Sequence, residues 1–204
     1  MRRPILATML GMLMVTAACG SGEEPRSTTP ELGGDSAVQM RALTGPTSQK
    51  SVEIATFDLP DIGFEAGEAI DNDGAVEQRW AYTPGGDQQP ACAVIVGVQP
   101  DYDGQLTTEA KIYADAVASQ QGNMVHDGTA DGPEGATQTS VMSSTGVERA
   151  EGGERPFTSW VRRYVTPGGA AVELAATAAD DHADACNPEG IAASLGWTGK
   201  ELSK

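Results

Sequence analysis

Three cysteines carry the most reactive side chains in this sequence. Cys19 ends an apolar N-terminal stretch, whereas Cys92 and Cys186 lie in the body of the chain. A cysteine thiol can be acylated, oxidised to a disulfide, or used as a nucleophile or metal ligand, and the cellular compartment decides between these uses. The N-terminus therefore determines how the other two cysteines are interpreted.

The first residues have the form of an export signal. Two arginines precede an almost unbroken apolar run from Ile5 to Val15, and small residues lead to Cys19. The run is shorter than the about 20 residues that cross a bilayer. The pattern resembles a bacterial lipoprotein signal, which is cut before a cysteine that then carries diacylglycerol, with palmitate as a typical acyl group. Thr16 stands where that pattern usually has leucine, so a plain secretory peptide or an uncleaved anchor is the alternative.

We therefore predict that residues 1–18 are a signal peptide and that Cys19 is the lipidation site. The protein would be exported and anchored by lipid to the outer face of the cell membrane. Cys92 and Cys186 then remain as a pair in an oxidising compartment. The sequence has no Cys-x-x-Cys spacing and no lysine or arginine near either cysteine, which favours a disulfide over a redox centre or two buried free thiols.

Charge excludes several classes of partner. The 204 residues include 29 acidic and 13 basic side chains, so the formal net charge is −16 at pH 7. A field of this sign repels nucleic acids and anionic head groups, so neither DNA, RNA nor electrostatic membrane docking is expected. Most of the acidic side chains are explained as solvated surface, although a basic partner or loosely held cations would also suit them.

Composition divides the mature chain into two parts. Residues 19–50 are rich in Gly, Ser, Thr, Pro and charge, which predicts a flexible tether. Residues 51–204 alternate apolar and turn-forming stretches and have the length of a single domain.

Alternation of apolar and polar residues predicts many strands. Two pairs, each joined by a Pro-Gly-Gly turn, predict hairpins: 75–82 with 91–99, and 156–165 with 170–178. In the second hairpin, Trp160 and Tyr164 should share one face with Arg162, and Val161 and Arg163 should point to the other. The remaining expectations are a kinked strand over 52–59, a weak strand over 137–143 and a loop over 146–154.

Two helices are predicted between and after these strands. The first begins near Thr107, ends at Gly122 and should turn Ile112 and Tyr113 inward. The second runs over 188–195, with Asn187 as its N-cap and Pro188 at its first position. Helices added to these hairpins predict an α+β fold in which helices flank an antiparallel β-sheet.

Catalytic motifs are missing from the sequence. It contains no G-x-S-x-G elbow, no phosphate-binding G-x-x-x-x-G-K-[ST] loop and no H-E-x-x-H zinc motif. Its two histidines are His126 and His182, too few for a multi-histidine metal site. Carboxylates such as Glu173 and Asp180 could do acid–base chemistry, but nothing in the sequence converges them on a cleft.

Metal sites are also poorly supported by the sequence. Asp180, Asp181, His182 and Asp184 carry donors for a divalent cation, but four such residues also describe an ordinary solvated loop. The segments 71–74 and 101–104 open like calcium loops, yet each reaches glycine too early and lacks the closing glutamate. We predict no catalytic, cofactor-binding or metal-ligating residues.

Element order and two short stretches resemble a known fold. The stretches are Tyr164 to Gly169, Tyr-Val-Thr-Pro-Gly-Gly, and Ile191 to Trp197, which reads I-x-x-S-L-x-W. Residues 51–198 thereby resemble the PsbP-like fold, and in particular actinobacterial lipoproteins of the LpqN type. The resemblance implies an α/β/α sandwich with an antiparallel sheet and a binding or assembly role without established catalysis. It carries over no functional residue by position.

These observations lead to one functional expectation and two alternatives. We expect a non-enzymatic, lipid-anchored binding or accessory protein of the bacterial cell envelope, monomeric in its domain, that recognises a protein partner or an envelope lipid. A carrier of a small apolar ligand would instead need an apolar cavity large enough for an acyl chain. An envelope hydrolase would need at least two carboxylates converging in a deep pocket. A contiguous apolar patch without a cavity would favour a protein partner.

Overall fold

The computed structural model describes residues 38–44, 47–72, 75–85, 87, 89–119, 122–150 and 153–202. The predicted signal peptide, Cys19 and the tether as far as residue 37 lie outside the described residues. Over the described ranges, the chain forms the α+β fold that the sequence predicts, an antiparallel sheet flanked by helices.

The strands form a large and a small antiparallel sheet. The large sheet contains β3 (Glu65–Ala66), β4 (Ile70–Asn72), β5 (Ala75–Tyr82), β6 (Cys92–Gln99), β7 (Asn123–Gly128), β8 (Gln138–Ala150), β9 (Gly153–Val165) and β10 (Ala171–Ala179). Its strand order is β3-β5-β6-β10-β9-β8-β7, and β4 pairs with β5 beside β3. The small sheet contains β1 (Thr47–Val52), β2 (Ala55–Pro60) and β11 (Gly196–Trp197), in the order β1-β2-β11.

Helices lie on both sides of the large sheet. They are α1 (Leu106–Ser119), α2 (Ala183–Cys186) and α3 (Pro188–Ala193), and a 3-10 turn over Asp180–His182 precedes α2. Tyr113 of α1 packs against Met142 of β8 and Val161 of β9. The inward position predicted for Ile112 is wrong, because that side chain is 45% exposed on the outer side of α1.

One face of the large sheet, here called the core face, is covered by the small sheet and α3. It carries Trp160, Tyr164, Val172 and Leu174, which pack with side chains of β2 and α3. Phe57 of β2 meets the Trp80 ring edge to face, with centroids 4.9 Å apart. Side chains in a strand alternate between faces, so the predicted grouping of Trp160 with Tyr164 is confirmed.

Arg162 also lies on the core face, where a cation needs a specific partner. Its Nη1 donates to the Ala193 carbonyl oxygen at 2.5 Å, and its Nη2 donates to the Asp131 carbonyl oxygen. Ala193 ends α3, so the guanidinium satisfies a free carbonyl at the negative end of the helix dipole. Burial lowers the pKa of Arg162.

The folded region begins earlier than the sequence predicts. The kinked strand expected over 52–59 is a hairpin of β1 and β2 that turns at Glu53, whose φ is 44°. Val38, Met40 and Leu43 pack against the core, and the Val38 amide donates to the Thr129 carbonyl oxygen at 2.7 Å. The boundary expected at residue 51 therefore moves back to residue 38 at least, because the few apolar residues of this segment cover part of the core.

The loop expected over 146–154 is wrong, since β8 and β9 continue through most of it. The two strands stay in register from Gln138 opposite Val165 to Ala150 opposite Gly153. Gly146 suggested a loop, but the Phe157 ring lies over it, and a Cβ there would approach a ring atom to 2.7 Å. The glycine makes room for an aromatic ring on the neighbouring strand.

The structure brings Cys92 and Cys186 within disulfide distance. Their Cα atoms are 6.2 Å apart, and both side chains are buried beside Ala91 and Ala178. Because Cys92 begins β6 and Cys186 ends α2, a bond between them would attach the C-terminal helices to the middle of the large sheet.

Asn187 joins α2 to α3 and caps α3 as the sequence predicts. Its Oδ1 accepts from the Gly190 amide at 3.1 Å and from Nη2 of Arg41 at 2.6 Å. Its φ is 45°, a left-handed conformation that asparagine and glycine tolerate better than other residues. Asn187 therefore serves α3 both by its side chain and by its backbone.

Loss of the cysteine bond should destabilise the fold. Cys186→Ser opens a loop between residues 94 positions apart, which is expected to lower the free energy of unfolding by about 2–4 kcal/mol. Urea unfolding measures the loss, and the double variant Cys92→Ser/Cys186→Ser should show the same loss because a single bond is removed. Two freely labelled thiols in the unreduced, denatured protein would contradict the disulfide.

Substitutions at Asn187 should separate its two roles. Asn187→Ala loses the cap and places a Cβ in a left-handed conformation, so it should cost about 2 kcal/mol of stability. Asn187→Gly loses the cap but keeps the backbone unstrained, so it should cost less than about 1 kcal/mol. Urea unfolding of both variants gives the comparison, and equal losses would refute the backbone contribution.

Candidate functional site

The opposite face of the large sheet, here called the groove face, is only partly covered. Helix α1 packs over β8 and β9, and its edge faces the exposed parts of β6 and β10. Between them lies a groove with a volume of about 430 Å³. This volume falls within the range of about 300–1,000 Å³ that is usual for small-molecule sites.

Small and apolar side chains form the floor of the groove. The floor carries Ala93 and Ile95 of β6 together with Ala175 and Thr177 of β10. These residues occupy alternate positions on adjacent strands, so their side chains share the groove face. Their small size leaves space above the sheet that larger side chains would fill.

Further residues of several elements line the groove around this floor. They are Tyr113, Ala116 and Val117 of α1, Gly122, Val147 of β8, Phe157 of β9, and Pro90. The hydroxyl groups of Tyr113 and Ser144 are hydrogen-bonded at 2.9 Å, which fixes α1 on β8. The groove is therefore built on strands and a helix whose positions are set by packing.

One end of the groove is polar and deeply buried. Arg163 of β9 stands directly opposite Glu173 of β10, and its Nε forms an ion pair with Glu173 Oε2. The two side chains are only 3% and 5% exposed. Burial raises the pKa of Glu173, and Glu109 and Glu77 raise it further, whereas Arg163 lowers it.

More polar side chains gather around this ion pair. Burial, followed by the charge of Glu109, raises the pKa of Tyr102 to about 12. Among the described residues, the buried Tyr102 hydroxyl, Ser140 Oγ and Arg163 Nη1 have no hydrogen-bond partner. Buried polar atoms are normally hydrogen-bonded to protein, water or ligand. The groove thus combines an apolar floor with a polar inner end.

Three arginines line the groove of this acidic protein, and two of them are ion-paired. Arg163 faces Glu173, and Arg155 lies 3.5 Å from Asp181 and 4.0 Å from Asp87. Arg79 of β5 is exposed at the groove, and no carboxylate of the described residues pairs with it. A positive charge at this rim is therefore available to a ligand.

The acidic segment after β10 makes contacts with the protein itself. Asp180 Oδ1 accepts from the Thr158 hydroxyl at 3.1 Å, and Asp181 Oδ1 lies 2.9 Å from His182 Nδ1. Asp181 also faces Arg155. In the part of the chain that the structure describes, no group of three or more His, Cys, Asp or Glu side chains is placed to hold a metal ion.

The structure does not bring the other candidate residues together. Asp180 follows the last residue of β10 and is seven positions from Glu173, or about 23 Å at the usual rise of a strand. His126 lies on the core face with its ring 5.5 Å from that of Trp160. Asp71 belongs to β4, and Asp101 lies in a turn with a φ of 51°.

Sequence reasoning missed Arg163 and Glu173 as a buried pair. The signal was present, because the predicted hairpin places Arg163 among apolar residues on one face and its turn sets the pairing with the returning strand. A charged residue on each strand of an otherwise apolar face predicts an ion pair. No sequence pattern predicted the groove, because its shape depends on where α1 packs on the sheet.

The protonation of Glu173 should make stability depend on pH. A pKa above its ordinary value of 4.5 means that the native state keeps the proton where the unfolded state has lost it. The free energy of unfolding should therefore fall as the pH rises from about 4.5 towards the native pKa. Glu173→Gln cannot titrate, so the wild-type minus variant difference should show this fall in urea unfolding. A flat or rising difference would contradict it.

Comparison with known proteins adds no functional assignment. No protein-family model and no curated protein sequence matches this chain. None of the helices among the described residues is long and apolar enough to cross a membrane. The groove on the large sheet is therefore the feature from which a function has to be inferred.

Proposed function

We propose that this protein is a non-enzymatic binding protein of the bacterial cell envelope that holds the acyl chain of a lipid-like ligand in the groove. The single observation that carries the proposal is the groove of about 430 Å³ between α1 and the exposed part of the sheet. Its floor of Ala93, Ile95 and Ala175 offers apolar contact, and burying such surface provides the main driving force for binding an apolar chain.

The proposed location rests on the N-terminal sequence. The predicted export signal and the predicted lipid attachment at Cys19 would place the domain at the outer face of the membrane. There a groove for acyl chains would meet lipids or lipid precursors. The resemblance of residues 51–198 to LpqN-type lipoproteins is part of the basis for this proposal.

A carboxylate-based hydrolase is the second candidate, because Glu173 and Glu109 lie near one another at the inner end. The raised pKa of Glu173 suits a general acid. Glu173 is, however, ion-paired with Arg163 and only 5% exposed, and Glu109 is 8% exposed. A general acid must reach its substrate, so this burial favours a structural role for the pair. Hydrolysis of acyl esters that is lost in Glu173→Gln would reverse this assignment.

Recognition of a protein partner has weaker support. The large apolar side chains that are exposed in the described residues are Ile70, Ile112, Val125 and Val147. They lie on four different elements, β4, α1, β7 and β8. Protein interfaces are usually marked by a contiguous apolar patch. Ile70 and Val125 lie at opposite edges of the large sheet, so the four residues do not form one patch, which favours a ligand in the groove over a protein on the surface.

Filling the groove should weaken binding of an acyl chain. Decanol is a suitable probe because it has an apolar chain and a small neutral head. Ala93→Phe places a ring on the groove floor and should weaken decanol binding by about tenfold or more, measured by isothermal titration calorimetry.

The matched control for this experiment is Ile112→Phe, which enlarges an exposed side chain on the outer side of α1. It should bind decanol as the wild type does, and circular dichroism should show both variants folded. No binding of decanol to the wild type, or unchanged binding by a folded Ala93→Phe variant, would refute the proposed site.

A further inference from the structure

We propose that the groove selects an anionic amphiphile, with the acid group of the ligand held by Arg79 and its acyl chain directed across the sheet towards Val161. This inference rests on the proposed function, because it assigns the chemical class and orientation of the ligand in the same groove. Its basis is an apolar row of side chains that begins at an unpaired cation.

The row is defined by the register of four adjacent strands. Arg79 of β5 pairs with Ile95 of β6. Ile95 also pairs with Ala175 of β10, and Ala175 pairs with Val161 of β9. All four residues line the groove. Three spacings of about 4.8 Å between neighbouring strands make the row about 14 Å long. An extended chain of medium length fits over this distance.

The row runs from the rim of the groove into the protein. Arg79 is exposed at one end, whereas Val161 is buried with Tyr113 and Met142 beneath α1 at the other. An amphiphile lying along it would keep its acid group in contact with water and place the end of its chain against the apolar surface under α1.

Charge complementarity selects Arg79 among the three arginines of the groove. Arg155 already faces Asp87 and Asp181, and Arg163 is ion-paired with Glu173. No carboxylate among the described residues pairs with Arg79, although the whole chain carries a net charge of −16. A guanidinium binds carboxylate and phosphate through charge-assisted hydrogen bonds.

The inner end of the groove determines the orientation. There the cation of Arg163 is ion-paired with Glu173, and Glu109 of α1 lies close enough to act on the charge of Glu173. Glu77 lies at the Arg79 end, two positions along β5, and forms no ion pair with Arg79. An acid group placed at the inner end would lie beside the acidic side chains of Glu173 and Glu109 and would have to leave water, which costs free energy. The acid group is therefore held at the Arg79 end.

A matched pair of ligands tests the assignment. Decanoate and decanol have the same chain length and differ in the charge of the head group, and decyl phosphate distinguishes a phosphate from a carboxylate head. Wild-type protein should bind decanoate more tightly than decanol, and added salt should reduce this preference because the contact is exposed. Isothermal titration calorimetry gives all three affinities.

Arg79→Gln should weaken decanoate binding about fivefold and leave decanol binding within about twofold, since only the charged contact is lost. The backbone is unaffected, because the Arg79 carbonyl oxygen still accepts from the Gly67 amide. Lys111→Gln is the control. It removes one positive charge from an exposed position on α1, where Lys111 Nζ lies 3.7 Å from Asp115, and it should change neither affinity.

The outcomes separate this inference from the proposed function. Failure of wild-type protein to bind decanol or decanoate would overturn both. Equal binding of the two ligands, with no selective effect of Arg79→Gln, would overturn the anion assignment and leave the acyl-chain groove intact. A selective loss of decanoate in Arg155→Gln but not in Arg79→Gln would overturn the assignment, because it would place the acid group at Arg155. Tighter binding of decyl phosphate, again lost in Arg79→Gln, would support the assignment with phosphate as the preferred acid.

Discussion

The pairing of β9 with β10 is the constraint on which the rest of the structure depends. These strands stay in register from Val165 opposite Ala171 to Phe157 opposite Ala179, in the middle of the large sheet. Because side chains alternate, this register places Trp160 on the core face and Arg163 on the groove face. A slip of β9 by one residue would turn Trp160 and Tyr164 away from the core and move Arg163 onto the core face, so the burial of the core strongly specifies the register.

The two faces of the large sheet are covered to different extents, and the groove results from this difference. The small sheet and α3 cover the core face, where even Arg162 finds a partner in the carbonyl oxygen of Ala193. On the groove face, α1 covers β8 and β9 but leaves β6 and β10 partly open. The small side chains of Ala93 and Ala175 keep this open area apolar and accessible. The open groove and the main apolar core thus lie on opposite faces of the same strands.

The Arg163–Glu173 pair makes the two ends of the groove chemically different. A buried ion pair contributes little net stability, since desolvation of both charges opposes their attraction. Here the pair, with Glu109 and Tyr102 beside it, makes the inner end polar and unfavourable for a further negative charge. The exposed Arg79 makes the opposite rim favourable for one. An apolar floor between an exposed cation and a buried ion pair is a feature that can orient an amphiphile.

The sequence by itself determined the local structures that depend on neighbouring residues. The two hairpins, the cap at Asn187 and the alternation that separates Trp160 from Arg163 could all be predicted, because turn chemistry, capping and strand period act over a few residues. Tertiary structure alone decided features that join distant segments. Gly146 lies within a strand because Phe157 covers it, and residues 38–44 belong to the domain because the core offers them a surface. The groove also depends on tertiary structure, because the residues that line it come from elements whose relative positions are set by packing across the whole sheet.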